Sequence, residues 1–505
     1  MSSADQEVYP IGQWIGMLAD ERPDDPALIF APHQGEDRTY SWRVLDRWSN
    51  QLARLLQEHG VGEGDRVVLG LPNSPEMVIL LPAVWKLGAQ PVPIRGALPP
   101  HEYNALLEIT EPAAIVADWT EVAMVAPLLS ANALQRSSKL GDGPLPTRVA
   151  DPMLAIGTGG STGRPKLIEH AGTVVGGPRL TLQPIRRTLL ESSNWQLVQL
   201  VCGPLYHIAP LMNCLQAFIE GSTTVLMERF DAARSLDLIE QYRPRMVIVV
   251  PTMMQRMLQI PDIADRDLSS LELLFHTGAP CPPVVKQGWI DLIGAERVVE
   301  RYGGSEGIGG SFIRGDEWLE HPSSVGKPVG CDLRIIDDHG NDLPVGEVGL
   351  IYTRPFRGHP AASETRYIGA DQLPTTDDGF MTLGDLGWLD EDGYLYIADR
   401  RTDMIVTGGA NVYPAEVEAI LSQASGVADV VVVGVPDGEW GRRVHAIVQP
   451  LDHANPPTES ELDALCREHL AAYKVPKTYE YLPRLPRNAA GKIRRSALVE
   501  ERSIR

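Results

Sequence analysis

Residues 157–166 read Gly157-Thr158-Gly159-Gly160-Ser161-Thr162-Gly163-Arg164-Pro165-Lys166 and follow the apolar segment Met153-Leu154-Ala155-Ile156. Glycines let the backbone turn several N–H groups toward one point, hydroxyls donate to oxygen atoms, and the lysine adds a positive charge. The segment is therefore suited to cradle a polyphosphate. Its spacing differs from the phosphate loop of nucleoside triphosphatases, because Arg164-Pro165 separates the last glycine from the lysine. Taken alone, this composition also fits a flexible surface loop.

Seven further segments follow in the order typical of one enzyme superfamily. They are Pro204-Leu205-Tyr206-His207, Thr277-Gly278-Ala279-Pro280, Tyr302-Gly303-Gly304-Ser305-Glu306, Leu383-Gly384-Asp385, Asp399-Arg400-Arg401-Thr402-Asp403-Met404-Ile405, Gly408-Gly409-Ala410-Asn411-Val412-Tyr413-Pro414-Ala415-Glu416-Val417-Glu418 and Pro486-Arg487-Asn488-Ala489-Ala490-Gly491-Lys492-Ile493. Together with the phosphate loop they resemble the adenylate-forming superfamily, which includes acyl-CoA synthetases, adenylation domains of peptide synthetases and firefly luciferase. One such motif is weak, whereas eight across nearly the whole chain are specific.

The resemblance implies an ATP-dependent acid–thiol ligase that works in two steps. A carboxylate attacks the α-phosphate of ATP, which releases pyrophosphate and leaves an acyl-adenylate. The thiol of coenzyme A then attacks this anhydride and releases AMP. Catalysis would consist of positioning and of stabilising negative charge. The implied small molecules are ATP and AMP, Mg²⁺, coenzyme A as a substrate, and a carboxylic acid or its adenylate.

The motifs also imply three residues for the catalytic centre. Lys492 is the expected adenylation catalyst, because a lysine can bridge the attacking carboxylate and the α-phosphate. Glu306 is expected to hold Mg²⁺, since hard cations take carboxylate oxygens. His207 is expected at the entrance of the acyl pocket, without a role in proton transfer.

A larger set is expected to bind the nucleotide. Tyr302 would stack on adenine, Asp385 would accept hydrogen bonds from the ribose hydroxyls, and Arg400 would donate to ribose or phosphate. Asp385 and Arg400 could instead form a structural ion pair. The residues implied for this site are Thr158, Gly160, Ser161, Thr162, Gly163, Lys166, Gly278, Ala279, Pro280, Arg301, Tyr302, Gly303, Gly304, Ser305, Asp385, Ile397 and Arg400.

The second step requires a narrow channel for the pantetheine arm of coenzyme A. Glycines without side chains would let this arm pass. The residues expected to bind coenzyme A are Gly408, Gly409, Trp440, Arg442 and Lys474. The superfamily rotates its small domain, and the expected hinge is Arg401 and Thr402. Lys492 and Gly408 would then take turns at one site.

Alternating helix and strand patterns predict an α/β fold. Ser41 is a potential N-cap for a helix whose apolar residues recur at three- and four-residue steps. A helix over 75–87 lies between predicted strands at 66–71 and 90–94, which implies a parallel sheet covered by helices. Apolar runs at 246–250 and 271–275 predict buried strands whose ends point at the phosphate loop's site.

The predicted N-terminal domain spans residues 1–401 and combines mixed or parallel sheets with a β-rich subdomain. Turn signals at 338–340 and 391–393 predict hairpins in that subdomain. Residues 402–505 are expected to form a small, mobile α+β domain, with helices at 414–422 and 458–470 and a strand at 430–433.

Composition narrows the class of protein. The net charge of −21 argues against a nucleic-acid binder, which would carry a basic face. Five scattered cysteines without a Cys-x-x-Cys pair suit a reducing compartment. Neither a signal peptide nor an apolar run of about 18 residues is present in the sequence, so we expect a cytoplasmic protein without a membrane span. A homo-oligomer is left open.

Five positions depart from the common motifs: Gly159, Leu167, Leu383, Thr402 and, conservatively, Ser305. Each lost donor would weaken ATP binding by about 1 kcal/mol. The segments 159–167, 366–370 and 399–405 together resemble the branch of bile-acid and steroid-acid CoA ligases. With glycines at 303, 304, 307, 309 and 310 leaving space, this resemblance suggests a bulky polycyclic or terpenoid acid.

Three alternatives to the full ligase remain. The enzyme could be specialised in the thioester step, starting from a preformed acyl-adenylate. It could be a stand-alone adenylation enzyme that loads an acyl carrier protein. It could also be a binder of acyl or nucleotide ligands that has lost turnover. An amino-acid substrate is disfavoured, because residues 206–210 lack the aspartate that peptide-synthetase domains carry there.

Overall fold

A computed structural model describes residues 9–96, 98, 100–119, 125–159, 165–176, 197–356, 365–407, 410–438, 440–488 and 491–503. Six predicted site residues lie outside these ranges: Gly160, Ser161, Thr162, Gly163, Gly408 and Gly409.

The helices are α1 (Ile11–Glu21), α2 (Trp42–Glu58), α3 (Pro75–Lys86), α4 (Pro100–Thr110), α5 (Ala131–Leu134), α6 (Ile208–Glu220), α7 (Ala232–Tyr242), α8 (Pro251–Leu258), α9 (Pro283–Ile293), α10 (Gly315–Glu320), α11 (Pro414–Leu421), α12 (Glu459–His469) and α13 (Arg495–Ser503).

The first strands are β1 (Tyr9–Pro10), β2 (Pro26–Ala31), β3 (Arg38–Ser41), β4 (Arg66–Gly70), β5 (Gln90–Pro93), β6 (Ala114–Ala117), β7 (Leu128–Leu129), β8 (Leu154–Gly159), β9 (Pro165–His170), β10 (Val175–Gly176), β11 (Val198–Val201), β12 (Thr223–Met227), β13 (Met246–Val249) and β14 (Leu273–Thr277). The later strands are β15 (Val298–Gly303), β16 (Gly310–Arg314), β17 (Ser324–Pro328), β18 (Cys331–Ile336), β19 (Gly349–Pro355), β20 (Thr365–Ile368), β21 (Asp385–Leu389), β22 (Leu395–Arg400), β23 (Ile405–Thr407), β24 (Ala410–Val412), β25 (Val427–Asp437), β26 (Gly441–Pro450) and β27 (Thr478–Tyr481).

A thirteen-stranded sheet organises the larger part of the chain, in the order β18-β19-β21-β22-β17-β16-β15-β14-β13-β11-β12-β2-β3. From β2 through β12, β11, β13 and β14 to β15, neighbouring strands run parallel. Side chains alternate between the two faces, so Leu273 and Phe275 enter one apolar core and Leu274 the other. Because the strands are parallel, β14 and β15 end at the same edge of the sheet.

A second sheet confirms the βαβ prediction near the N-terminus. Strand β4 pairs in parallel with both β5 and β6. Its residues Val67, Val68 and Leu69 are fully buried, as expected for a parallel strand covered on both faces. Ser41 caps α2 as predicted, because its hydroxyl accepts a hydrogen bond from the Val44 N–H at 3.5 Å.

Some strands begin or end at other residues than predicted, because pairing with the neighbouring strand, and not the local apolar pattern, sets their bounds. The run at 271–275 begins pairing only at Leu273, opposite Met246, so β14 starts two residues late. The strand predicted at 430–433 is longer, because β25 pairs with β26 along its whole length. The signal at 391–393 does join the antiparallel strands β21 and β22. The signal at 338–340 also forms a tight antiparallel turn, in the connection between β18 and β19. Ile336 pairs with Asp342 there, and the Asp337 N–H donates to the Asn341 carbonyl at 2.9 Å.

The C-terminal residues build their own apolar cores. One contains α11, α12 and the strands β25 and β26, and a second lies beneath α13. Beyond the turn after β22, two of the hydrogen bonds among the described residues link this part to the larger part. The Ala415 N–H donates to Asp399 Oδ2 at 3.0 Å, and Gln255 Nε2 donates to the Ala428 carbonyl at 2.5 Å. Among the described residues, no helix has the length and apolarity that crossing a bilayer demands.

Candidate active site

The edge formed by the ends of β14 and β15 carries the first group of predicted site residues. The Thr277 hydroxyl donates to the Arg301 carbonyl at 2.8 Å and ties the two strand ends together. The turn that follows begins at Gly278 with φ +90°, a conformation that side chains rarely adopt. Ala279 and Pro280 complete this turn, beside the strand that leads into Gly303, Gly304 and Ser305.

Asp385 joins two predicted nucleotide-binding side chains. It accepts a hydrogen bond from the Tyr302 hydroxyl at 2.8 Å and one from Arg400 Nε at 3.1 Å. The pairing of β21 with β22 sets Asp385 directly opposite Arg400. Burial, reinforced by the Asp385 charge, raises the pKa of Tyr302 well above its usual value. Ile397 packs against the same small apolar cluster as Tyr302.

Lys166 and Glu306, two further predicted site residues, lie close to each other. Lys166 lies at the start of β9, and its Nζ is 3.8 Å from Glu306 Oε1. Burial lowers the pKa of Lys166, while the nearby Glu306 charge opposes that shift. Thr158 lies on the paired strand β8, opposite Lys166. The two strands that flank the predicted phosphate loop, β8 and β9, are therefore antiparallel neighbours.

Lys492 reaches the same cleft from the C-terminal residues. The residue is exposed to solvent, yet partial desolvation by the surrounding protein lowers its pKa. The positive Arg400 lowers this pKa further, while Glu306 and Asp385 act in the opposite direction. Its backbone is held by a reciprocal pair of hydrogen bonds. The Lys492 N–H donates to Asn488 Oδ1 at 3.0 Å, and the Asn488 N–H donates to the Lys492 carbonyl at 2.8 Å.

Gly491, next to Lys492, has φ +73° and lies against Thr252 of α8, where a Cβ would collide with the threonine side chain. The glycine therefore permits the close approach that carries Lys492 into the cleft.

His207 precedes α6 and faces the same cleft. Burial lowers its pKa to about 4, and the positive Lys492 and Arg95 add to that shift. The imidazole is therefore neutral near pH 7. Its ring lies 4.7 Å from the Tyr206 ring, measured between centroids.

Arg301 differs from the other predicted nucleotide-binding residues. Strand alternation places its side chain on the face of β15 opposite to Tyr302. Its guanidinium lies 5.7 Å from the centroid of the Phe312 ring. Burial lowers the pKa of Arg301. No carboxylate among the described residues pairs with this side chain. Its predicted role toward the nucleotide stays a prediction.

The residues predicted for coenzyme A lie elsewhere on the C-terminal part. Trp440 is 41% exposed, with Lys477 Nζ 5.6 Å from its ring centroid, and Arg442 is exposed. Lys474 is already paired with Glu416 at 2.6 Å. In the described ranges, no hydrogen bond or ion pair connects Trp440, Arg442 or Lys474 to the cleft around Lys492.

The predicted hinge lies in a turn after β22. The Arg401 N–H donates to the Gly384 carbonyl at 3.0 Å, and its guanidinium pairs with Asp338 at 3.0 Å. The N–H groups of Asp403 and Met404 both donate to the Arg400 carbonyl, which closes the turn around Thr402. Rotation about this turn stays a prediction, as does the boundary at 401/402.

The donor set fits a magnesium ion that arrives with a nucleotide. The described residues contain no cluster of three or more acidic, histidine or cysteine side chains suited to hold a metal alone. Mg²⁺ commonly uses one or two protein carboxylates together with phosphate oxygens and waters. Glu306 supplies such a carboxylate beside Lys166.

Two family models match the chain. Residues 18–356 match the AMP-binding enzyme model, and residues 416–492 match the AMP-binding enzyme C-terminal domain. The chain belongs to the AMP-binding enzyme family. The two matches confirm the predicted membership of the adenylate-forming superfamily.

Its relatives cover nearly its whole length. It is 31% identical over 499 residues to a 2-succinylbenzoate–CoA ligase of Bacillus pumilus, covering 96% of this chain and 97% of the relative. It is 34% identical over 498 residues to a feruloyl-CoA synthase of an Amycolatopsis species, with the same coverage.

Solved structures resemble this AMP-binding enzyme in fold. An o-succinylbenzoate CoA synthetase of Bacillus subtilis bound to its acyl-adenylate superposes with a TM-score of 0.82, at 28% identity and 98% coverage of both chains. The same synthetase with ATP and magnesium gives 0.81, at 27% identity, covering 97% of this chain and 100% of that chain. The predicted α/β class is confirmed. The enzyme is an AMP-forming acid–thiol ligase that uses ATP, Mg²⁺ and coenzyme A.

Two contacts of the site were missed by sequence reasoning. Tyr367 donates a hydrogen bond to Glu306 Oε1 at 2.5 Å, although the sequence marked it only as part of a branch motif. Asp399 accepts from the backbone N–H of Ala415 at the start of α11, and burial raises its pKa to about 6. Neither contact leaves a local signal, because each joins distant segments.

Proposed function

We propose that this ligase activates a bulky carboxylic acid, polycyclic or terpenoid, as its acyl-adenylate and then joins the acyl group to coenzyme A. The convergence of Lys492, Glu306, Asp385 and Arg400 on one cleft carries the proposal for the adenylation step. Attack of a carboxylate on an α-phosphate requires a positive group beside the reacting atoms and side chains that hold the nucleotide. Lys492 provides the first, and Glu306, Asp385 and Arg400 provide the second.

Each residue has a distinct task in this proposal. Lys492 stabilises the negative charge that develops as the carboxylate meets the α-phosphate. Asp385 accepts hydrogen bonds from Tyr302 and Arg400 in the structure. When the nucleotide binds, Asp385 accepts hydrogen bonds from the ribose hydroxyls in their place. Glu306 would hold Mg²⁺, which neutralises phosphate charge when bound. His207, neutral near pH 7, borders the acid without taking a proton.

Sequence resemblance, rather than pocket space, supports the proposed shape of the acid. The idea that glycines open room beside adenine is wrong for Gly304, Gly309 and Gly310. A Cβ at Gly304 would lie 2.6 Å from Leu383, and one at Gly309 would lie 2.6 Å from the Cys331 sulfur. A Cβ at Gly310 would clash with the Tyr302 carbonyl. These glycines permit close packing. The proposal therefore rests on the resemblance of segments 159–167, 366–370 and 399–405 to the bile-acid and steroid-acid branch.

We further propose that Trp440, Arg442 and Lys474 serve the thioester step after the C-terminal part rotates at Arg401 and Thr402. The exposure of Trp440 and Arg442 supports a ligand-binding role. Lys474 would first have to leave Glu416. We place the enzyme in the cytoplasm, acting on small molecules, because all five cysteines are free thiols.

The position of Lys492 favours the full ligase over an enzyme of the thioester step alone or an inert binder. Free coenzyme A is the expected acceptor, and an acyl carrier protein is the alternative to be excluded, since adenylation would be identical with either. Two assays separate these functions. Acid-dependent exchange of pyrophosphate into ATP reports adenylation, and a preformed acyl-adenylate mixed with free coenzyme A or with a carrier protein reports the acceptor.

A panel of steroid, terpenoid, aryl and linear acids should be tested in the exchange assay. We expect the fastest exchange with steroid or terpenoid acids. Preference for small aryl or linear acids would contradict the proposed acid, and the absence of exchange with every acid would contradict adenylation.

A further inference from the structure

Tyr367 connects two groups that the proposed adenylation step depends on. It lies on β20, which pairs antiparallel with β9 and sets Tyr367 opposite Ile168. From there its hydroxyl donates to Glu306 Oε1 at 2.5 Å. Its ring lies beneath the Lys166 ammonium, with Nζ 3.4 Å from the ring centroid. One side chain therefore touches both the candidate magnesium ligand and the cation that follows the phosphate loop.

The spacing of the three groups indicates what the tyrosine does. Lys166 and Glu306 are only loosely paired at 3.8 Å. A lysine this close to a carboxylate would ordinarily form a direct, hydrogen-bonded ion pair. In such a pair the ammonium would be less available to phosphate and the carboxylate less available to Mg²⁺. The aromatic face attracts the ammonium instead, and the phenol satisfies the near oxygen of the carboxylate. Within the described chain, the other oxygen, Oε2, accepts no hydrogen bond.

Thr365, two residues before Tyr367 on β20, also connects this strand to Glu306. The Thr365 hydroxyl donates to the Glu306 carbonyl, so backbone and carboxylate of one glutamate are both held from β20. The arrangement joins residues from three separate parts of the chain, at positions 166, 306 and 365–367. Since it keeps these charged groups farther apart than a hydrogen-bonded ion pair, packing stability alone does not explain it.

We propose that Tyr367 is a positioning residue for the magnesium–ATP complex: its hydroxyl orients the Glu306 carboxylate and its ring keeps the Lys166 ammonium available to phosphate. This inference rests on the proposed adenylation function and adds a residue to it. Partners of a metal ligand commonly change metal affinity or activity by 10- to 100-fold when removed.

Two substitutions separate the two contacts. Tyr367→Phe keeps the ring under Lys166 and removes the hydrogen bond to Glu306. We expect the Mg²⁺ concentration for half-maximal adenylation to rise roughly tenfold, with little change at saturating Mg²⁺. Tyr367→Leu removes both contacts, and we expect an additional increase in the KM for ATP. Tyr352→Phe, a matched change on β19, should leave both quantities unchanged.

Binding measured without turnover provides an independent readout. Calorimetry with adenosine α,β-methylene triphosphate should show that Mg²⁺ strengthens binding to the unmodified enzyme, and that Tyr367→Phe loses most of this gain. The rate of thioester formation from preformed acyl-adenylate should stay within about twofold in both variants. That step involves neither the β-phosphate nor the γ-phosphate of ATP.

The outcomes distinguish this inference from the proposed function. Unchanged magnesium dependence in Tyr367→Phe would overturn the inference while leaving adenylation intact. Equal losses in adenylation and in the thioester step would also overturn it, because they would indicate a structural role. If the unmodified enzyme binds the analogue but adenylates no acid, the proposed function fails, and the binding comparison still tests Tyr367.

Discussion

Lys492 illustrates how a single residue acquires a function from its surroundings. Its ammonium lies near one positive and two negative side chains, and partial desolvation lowers its pKa. Lys492 remains exposed to solvent, so its charge keeps part of its hydration, and nearby opposite charges replace the part that is lost. Here Glu306 and Asp385 supply part of that compensation, and a nucleotide phosphate would supply more.

The first prediction concerns this lysine. Lys492→Ala should reduce acid-dependent pyrophosphate exchange by roughly a thousandfold, because removing one preorganised charge-stabilising donor costs about 2.7–4 kcal/mol. Thioester formation from preformed adenylate should be spared. Arg494→Ala, on the same segment, is the control. Equal loss of both half-reactions would refute the assigned role.

A second prediction concerns His276, which is fully buried beside Glu300 and Lys286. Burial lowers its pKa to about 4, so the unfolded chain binds this proton first as pH falls. The free energy of unfolding should therefore decrease between pH 6.5 and 4, by about 3 kcal/mol for this residue.

In His276→Leu this part of the pH dependence should disappear, as measured by urea unfolding at several pH values. The exposed His33→Leu serves as the control. A variant that loses stability with acid as steeply as the unmodified enzyme would exclude His276 as a source of acid sensitivity.

At the scale of elements, helix termini show where local sequence suffices. Helix α3 was expected at 75–87 and spans Pro75–Lys86. Ser74 caps it, accepting a hydrogen bond from the Met77 N–H at 3.1 Å, and Pro75 occupies the first turn. Both signals act within four residues, so no tertiary contact is needed to place this helix start.

Removing that cap gives the third prediction. Ser74→Ala should lower the free energy of unfolding by about 1 kcal/mol, because an N–H at the helix start loses its acceptor. Ser74→Thr retains a hydroxyl and should lose much less. The midpoint of urea unfolding measures both, and equal midpoints for Ser74→Ala and the unmodified enzyme would show that the cap contributes nothing.

At the scale of the whole molecule, the described arrangement is the one that the proposed adenylation step would use. Lys492 lies in the cleft, while Trp440 and Arg442 lie away from it. The contact between Gln255 and the Ala428 carbonyl belongs to this arrangement, because α8 and β25 come from the two parts of the chain. If the C-terminal part rotates, this hydrogen bond must break.

The fourth prediction follows from that contact. Gln255→Ala should lower adenylation relative to the thioester step by about fivefold, since one hydrogen bond contributes about 0.5–1.5 kcal/mol. Gln259→Ala, an exposed change at the end of the same helix, is the control. The ratio of the two half-reaction rates is the measurement, and an unchanged ratio would mean that this contact does not bias the arrangement.

The sequence by itself determined the elements and the chemistry of the chain. Periodic apolar residues and caps placed α2 and α3, buried apolar runs placed β4 and β13, and ordered motifs identified the superfamily. These features depend on neighbours a few residues apart. Tertiary structure decided which groups meet: Tyr302 with Asp385, Tyr367 with Glu306, and Lys492 with the charges of Glu306, Asp385 and Arg400. Strand pairing and domain packing join segments tens to hundreds of residues apart, and the energy of such contacts depends on distances in space that no local pattern encodes.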